Sequence, residues 1–150
     1  MYHRILVPVD GSKVADRALD HAIRLARLTD ARISVIYVIE YPSTLYTSDF
    51  FDVEPFHAAM LDEAKAVLDK ARLCLDRAGV LAEARTIDSG DVGKSIADEI
   101  EHAVTDWKAD LVVMGTHGRR GYQRLMLGSV AEDFARRSTV PTLLITAQAQ

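Results

Sequence analysis

The chain has 150 residues, with 22 acidic and 18 basic side chains, a formal charge of -4, and 49% hydrophobic against 27% charged residues. That length suits one domain with its own core, and the apolar fraction excludes a disordered or fibrous chain. The acidic balance argues against nucleic acid as a partner, and no apolar run is long enough to span a bilayer.

The first apolar run covers 5–9 and leads into Asp10-Gly11-Ser12, after which Ala15, Ala18, Leu19, Ala22, Leu25 and Ala26 recur at helical spacing. This predicts a strand, a turn and an amphipathic helix that Ser12 caps. A β-branched run at 33–38 is a second strand. The connection over 40–56 carries Tyr41, Tyr46, Phe50, Phe51 and Phe56, an aromatic content that suits a lid or an interface. A helix is predicted over 61–78, with Met60, Ala64, Val67, Ala71, Cys74 and Ala78 on one apolar stripe. Cys74 is the only cysteine, so no internal disulfide forms, and its stripe assigns it to core packing.

A weaker strand follows at 82–87. Ile96, Ile100, Val104 and Trp107 mark a third helix, 111–114 an apolar fourth strand, 130–137 a last helix and 142–145 a last strand. Strands that alternate with helices and read as continuous apolar runs imply parallel crossovers and a sheet covered on both faces. The expected fold is therefore an α/β, open doubly wound five-stranded parallel sheet of order 3-2-1-4-5, Rossmann-like or flavodoxin-like, forming one domain over 1–150. The chain opens directly on its first strand, with no basic n-region or cleavage signal, so a cytoplasmic location is expected.

In such a sheet ligands bind beyond the carboxyl ends of the strands where the order reverses, here between the first and fourth strands. Pro8, Val9 and Asp10 border that crevice on one side, Met114 and Gly115 on the other. The fourth strand opens into Gly115-Thr116-His117-Gly118 and, nine residues later, Gly128-Ser129-Val130 begin the last helix. Glycines allow close backbone approach, and the helix N-terminus favours an anion, so both ends of one loop can grip a polyphosphate. Arg119, Arg120 and Arg124 carry charge of the right sign. Ser129 with Glu132 three residues on also reads as a capping box. His117 is the only histidine of this loop and reads as an exposed loop residue, with a base near neutrality as the alternative.

The segment from Asp110 through Gly115-Thr-His-Gly-Arg, Leu127-Gly-Ser-Val-Ala-Glu and Val140-Pro-Thr-Leu-Leu-Ile resembles the signature of universal stress proteins. The opening Ile5-Leu-Val-Pro-Val-Asp-Gly-Ser is similar to that family's first strand and turn. The intact glycine spacing implies the subclass that binds ATP, with Mg2+ accompanying the nucleotide. By that likeness Asp10 and Val38 contact ribose and adenine, Val38 through its backbone. Met114, Gly115, Gly118, Gly128, Ser129 and Val130 line the triphosphate, flanked by Thr116, His117 and Arg119. Asp10 can equally meet magnesium through a water.

The function this implies is a nucleotide-dependent stress-response regulator or switch, with no catalytic residue assigned. A slow ATP hydrolase of the adenine-nucleotide hydrolase class and a dimeric module with structural ATP stand as alternatives. The run at 142–147, from Thr142 to Ala147, would be an apolar edge strand and the seam of a homodimer, to which the resemblance also points. Valine at position 118 or 128 is expected to block the phosphate path and leave the fold intact.

Two further motifs read as decoys. Gly90-Asp91-Val92-Gly93-Lys94-Ser95 imitates the end of a phosphate-binding loop but lacks the glycine required at position 88, and reads as a helix start capped by Asp91. Asp88 imitates the acceptor of a phosphoacceptor receiver domain, without the paired acids or the lysine that chemistry needs.

Overall fold

The computed structural model describes residues 1–47, 52–117 and 127–147. Five strands form one parallel sheet: β1 (Arg4–Pro8), β2 (Arg32–Val38), β3 (Ala82–Ile87), β4 (Leu111–Gly115) and β5 (Thr142–Ile145). Their spatial order is β3-β2-β1-β4-β5, as expected. Helices α1 (Lys13–Thr29) and α2 (Val53–Ala78) cover one face. Helices α3 (Ile96–Trp107) and α4 (Ser129–Arg137) cover the other. Burial on both faces is why β1, β2 and β4 carry apolar side chains at successive positions instead of alternating ones.

The apolar stripe of α1 (Ala15, Ala18, Leu19, Ala22, Ala26) packs on Ile5, Val7, Ile33 and Val35. Ser12 caps that helix by accepting the Ala15 N–H at 3.1 Å. Cys74 packs partly buried against the same core, as its stripe implies. Helix α2 begins eight residues before its predicted start. Asp52 caps it by accepting the Glu54 N–H. Pro55 is tolerated because a first-turn residue needs no amide hydrogen. Phe56 and Met60, one turn apart, dock on the core. The connection after β2 is thereby shortened, and Tyr41 and Phe56 are core anchors instead of lid residues. A short 3-10 turn spans Ser43–Tyr46. Phe50 and Phe51 lie outside the described residues.

The start of α3 also corrects the sequence reading. Its cap is Ser95, not Asp91: the Ser95 hydroxyl accepts the Asp98 N–H at 3.1 Å and the Asp98 carboxylate accepts the Ser95 N–H at 2.9 Å. Lys94 turns away to pair with Asp91 at 2.7 Å, and the Ser95 side chain is occupied by capping, so the lysine and serine of a phosphate loop are both engaged elsewhere.

Carboxylates stitch the layers together. Asp98 accepts from Arg137 of α4 at 2.6 Å. Asp110 accepts the His3 and Arg4 amide hydrogens at 2.8 Å each, tying the start of β4 to the start of β1. The Arg137 guanidinium, followed by the Ser95 donors, lowers the Asp98 carboxyl from the ordinary 3.8 to about 2. At Asp110 partial burial pushes the carboxyl up, but the two backbone donors and His3 outweigh it and the net direction is down. A carboxyl lowered by folding contributes stability above its unfolded value, and that contribution disappears as pH falls through the folded value. Urea midpoints should therefore fall progressively from pH 4 towards pH 2. In Asp98→Asn the fall should be shallower and the stability at pH 6 lower. An Asp98→Asn curve parallel to the parent would remove this pair from the account.

Candidate functional site: a crevice between β1 and β4

The β1–β4 ladder pairs Ile5 with Leu111 and Leu6 with Val112, at the amino ends of both strands. At the carboxyl ends the two strands turn to opposite neighbours. Val9 donates its N–H to Ile36 of β2 at 2.9 Å, and Thr116 donates its N–H to Ile145 of β5 at 2.9 Å. The strands part there because each terminal amide is satisfied on its outer side, which opens the crevice expected at a reversal of strand order.

On the β1 side, Pro8 and Asp10 are half-buried and Val9 is buried. Asp10 accepts the Ser12 N–H at 2.9 Å across Gly11, whose φ of 83° demands glycine. Asp10 thus shapes the turn that starts α1. Val38 ends β2, half-buried and paired in register with Ile87.

On the β4 side, the Met114 side chain is buried with α3 and α4, so only its backbone can face a ligand. Gly115 is glycine for a structural reason: a Cβ there would stand 2.8 Å from Val14 Cγ1 on the first turn of α1. Thr116 is buried, and its carbonyl accepts the Gly128 N–H at 2.7 Å. That bond is the neck of the loop and brings Gly115, Thr116 and His117 against the first turn of α4. A Cβ at Gly128 would meet the Thr116 carbonyl oxygen at 2.8 Å. Valine at 128 would therefore break the neck itself, contrary to the expectation that it would leave the fold intact. Gly118, Arg119, Arg120 and Arg124 lie outside the described residues.

Ser129 is not the cap of α4. Gly128 holds that position with no side-chain hydrogen bond, and its carbonyl already accepts the Glu132 N–H at 2.9 Å. Ser129 is the first helical residue, one place too late to cap, and Glu132 pairs with Arg136 at 2.7 Å instead. The capping bonds expected of Ser129 are those that Ser95 makes in α3. Val130 packs on the α3–α4 core and fixes this end of the helix. His117 is half-buried instead of exposed, with Nδ1 2.9 Å from the Thr116 hydroxyl.

Beyond β2 and β3 the fold brings together three residues that lie far apart in the chain. Tyr41 donates its hydroxyl to Asp88 Oδ1 at 2.7 Å, and His57 Nε2 lies 2.7 Å from Asp88 Oδ2. These groups, with Val53, Glu54, Ser89 and Gly90, line a cavity of about 340 Å³. Burial raises the Asp88 carboxyl, yet the His57 and Tyr41 bonds outweigh it and the net direction is down. Both oxygens are engaged, which leaves Asp88 poorly suited to accept a phosphoryl group. Nothing in the spacing of positions 41, 57 and 88 signals this clasp.

The sequence of the whole domain matches the profile of the universal stress protein family over residues 1–146. The chain belongs to the universal stress protein family. It is 31% identical to a universal stress protein of Methanocaldococcus jannaschii over 145 residues, covering 97% of this chain and 82% of that one. Among solved structures, a universal stress protein family member from Burkholderia pseudomallei is similar at 34% identity and a TM-score of 0.80, with 97% of each chain covered. A universal stress protein of Archaeoglobus fulgidus solved with dAMP is similar at 26% identity, TM-score 0.70, covering 96% of this chain and 98% of that one. One solved with cAMP is similar at 25% identity, TM-score 0.70, with 98% of each covered. No helix among the described residues is long and apolar enough to cross a membrane.

Proposed function

We propose that this universal stress protein binds an adenine nucleotide, ATP with Mg2+, between β1 and β4 and acts as a nucleotide-dependent regulator in the cytoplasm. The observation that carries the reading is the neck between Thr116 and Gly128, which sets the end of β4 against the N-terminus of a helix whose cap makes no side-chain bond. Unpaired amide hydrogens at a helix start favour a phosphate. The solved relatives that hold dAMP and cAMP support adenosine as the remainder of the ligand. The residues fit such a ligand: Asp10 stands across the crevice at the height of a ribose or a metal-bound water, Val38 offers backbone to the base, and Met114 and Gly115 offer backbone to phosphate.

Calorimetric titration of nucleotide-stripped protein with MgATP should show one site. Asp10→Ala should weaken it about tenfold or more, as expected for loss of a hydrogen bond to a charged group. Asp10→Asn retains an acceptor for the Ser12 N–H and should keep the turn while reporting on the ligand. Equal ATP affinity in all three proteins would take Asp10 out of the site, and no heat with any adenine nucleotide would defeat the reading.

The proposal extends to a homodimer joined along β5 over 142–147. Among the described residues β5 pairs only with β4, and Leu143 stands 38% exposed on this edge. An apolar edge with unpaired backbone groups favours two-fold pairing with a second copy. The native protein should sediment as a dimer at micromolar concentration and Leu143→Arg as a folded monomer. A native monomer would exclude this seam.

A further inference from the structure

The phosphate end of the crevice contains one polar atom that the fold leaves unused. His117 Nε2 is buried and has no hydrogen-bond partner among the described residues, although the other ring nitrogen is engaged by Thr116 at 2.9 Å. A buried polar atom without a partner is rare enough in folded proteins to require a reason. Its place supplies one. The Thr116 carbonyl holds the Gly128 N–H, and a Cβ on Gly128 would come within 3.5 Å of His117 Cα, so this histidine sits against the residue that opens α4.

We infer that His117 is a phosphate-reading side chain of this site, with its Nε2–H donated to a phosphate oxygen of the bound nucleotide. The inference rests on the nucleotide reading above and adds a side-chain donor to it. The Thr116 hydroxyl can donate as well as accept. When it donates to Nδ1, the proton of the neutral ring stands on Nε2, because the bond made by one ring nitrogen sets the state of the other. In the opposite tautomer Nε2 carries a lone pair beside a helix N-terminus that attracts anions, and it would repel the same phosphate. An anionic ligand therefore selects the tautomer in which Thr116 donates. The role requires a phosphate, so adenosine gains nothing from it.

Two amide substitutions separate the ring nitrogens. His117→Asn places its amide near Nδ1 and retains the bond to Thr116, whereas His117→Gln reaches the place of Nε2 and retains a donor there. Wild type and both variants, each checked for native circular dichroism and melting, are titrated with MgATP and with adenosine. The Asn protein should lose about 10- to 100-fold in ATP affinity and the Gln protein only a few-fold, with adenosine affinity equal in all three. Imidazole 15N shifts of the ATP complex should place the His117 proton on Nε2.

Asn binding ATP as tightly as wild type, Gln losing as much as Asn, adenosine affinity falling in parallel, or an Nε2 without its proton each overturns the inference. All of these leave the nucleotide reading standing. Wild type that binds no adenine nucleotide overturns both.

Discussion

Phe134→Ala is expected to destabilise the protein by about 3–5 kcal/mol, the usual range for removing a fully buried aromatic side chain. Phe134 is the largest fully buried residue of the chain and lies among Leu6, Ile36, Ile100, Val112 and Met114, on the sheet face that α3 and α4 cover. Helix α4 has nine residues, and among them only Ala131 and Phe134 are buried. The alanine variant therefore removes most of what anchors the helix whose first turn closes the loop neck. Urea unfolding at pH 7 should show a midpoint shift at nearly unchanged slope, with Phe134→Leu much milder because volume is largely conserved. Nucleotide affinity should fall with the alanine variant even where it is fully folded, because the α4 N-terminus is free to tilt. A loss below about 1 kcal/mol would mean that α4 is held by something other than this side chain.

MgATP at a hundred times its dissociation constant should stabilise the native protein by about 2.7 kcal/mol. For a chain of this length that corresponds to a rise in melting temperature of roughly 5 to 10 °C. Gly128→Ala should abolish the rise and also lower the starting melting temperature. The added Cβ meets a backbone oxygen 2.8 Å away, which cannot rotate aside as a side chain can. Gly115→Ala is the informative contrast. Its Cβ meets a methyl of Val14 at 2.8 Å, and the α1 side chain must move while the neck stays closed. The Gly115 variant should lose stability and keep part of the ligand response; a full ligand response in Gly128→Ala would show that the neck does not shape the phosphate site.

Most of the architecture could be read from the sequence, because apolar periodicity and sheet topology are linked. Four-to-seven-residue β-branched runs alternating with helical stripes admit few arrangements once crossovers must be parallel and both sheet faces covered. The crevice follows from the strand order alone, and the spacing of Gly115, Gly118, Gly128 and Ser129 marked its phosphate end. Helix starts were less legible. Asp52 and Pro55 signal the true beginning of α2, but the aromatic residues around them suggested a loop. Ser95 and Ser129 each precede an acid by three residues, and only Ser95 caps, because capping depends on where the chain first turns helical.

The sequence by itself determined the family, the α/β class, the strand order and the edge of the sheet where a ligand would sit, since these depend on patterns repeated over many residues. Tertiary structure alone decided what individual side chains do there. It turned Asp10 into the acceptor that shapes the α1 turn, explained Gly115 by its contact with Val14, and drew Tyr41, His57 and Asp88 into one clasp from positions up to 47 residues apart. It also left His117 Nε2 buried beside the α4 N-terminus without a partner. The physical reason is range: periodicity is set by neighbours three or four residues away, whereas a hydrogen-bond partner is set by whichever distant backbone the packed sheet brings within 3 Å.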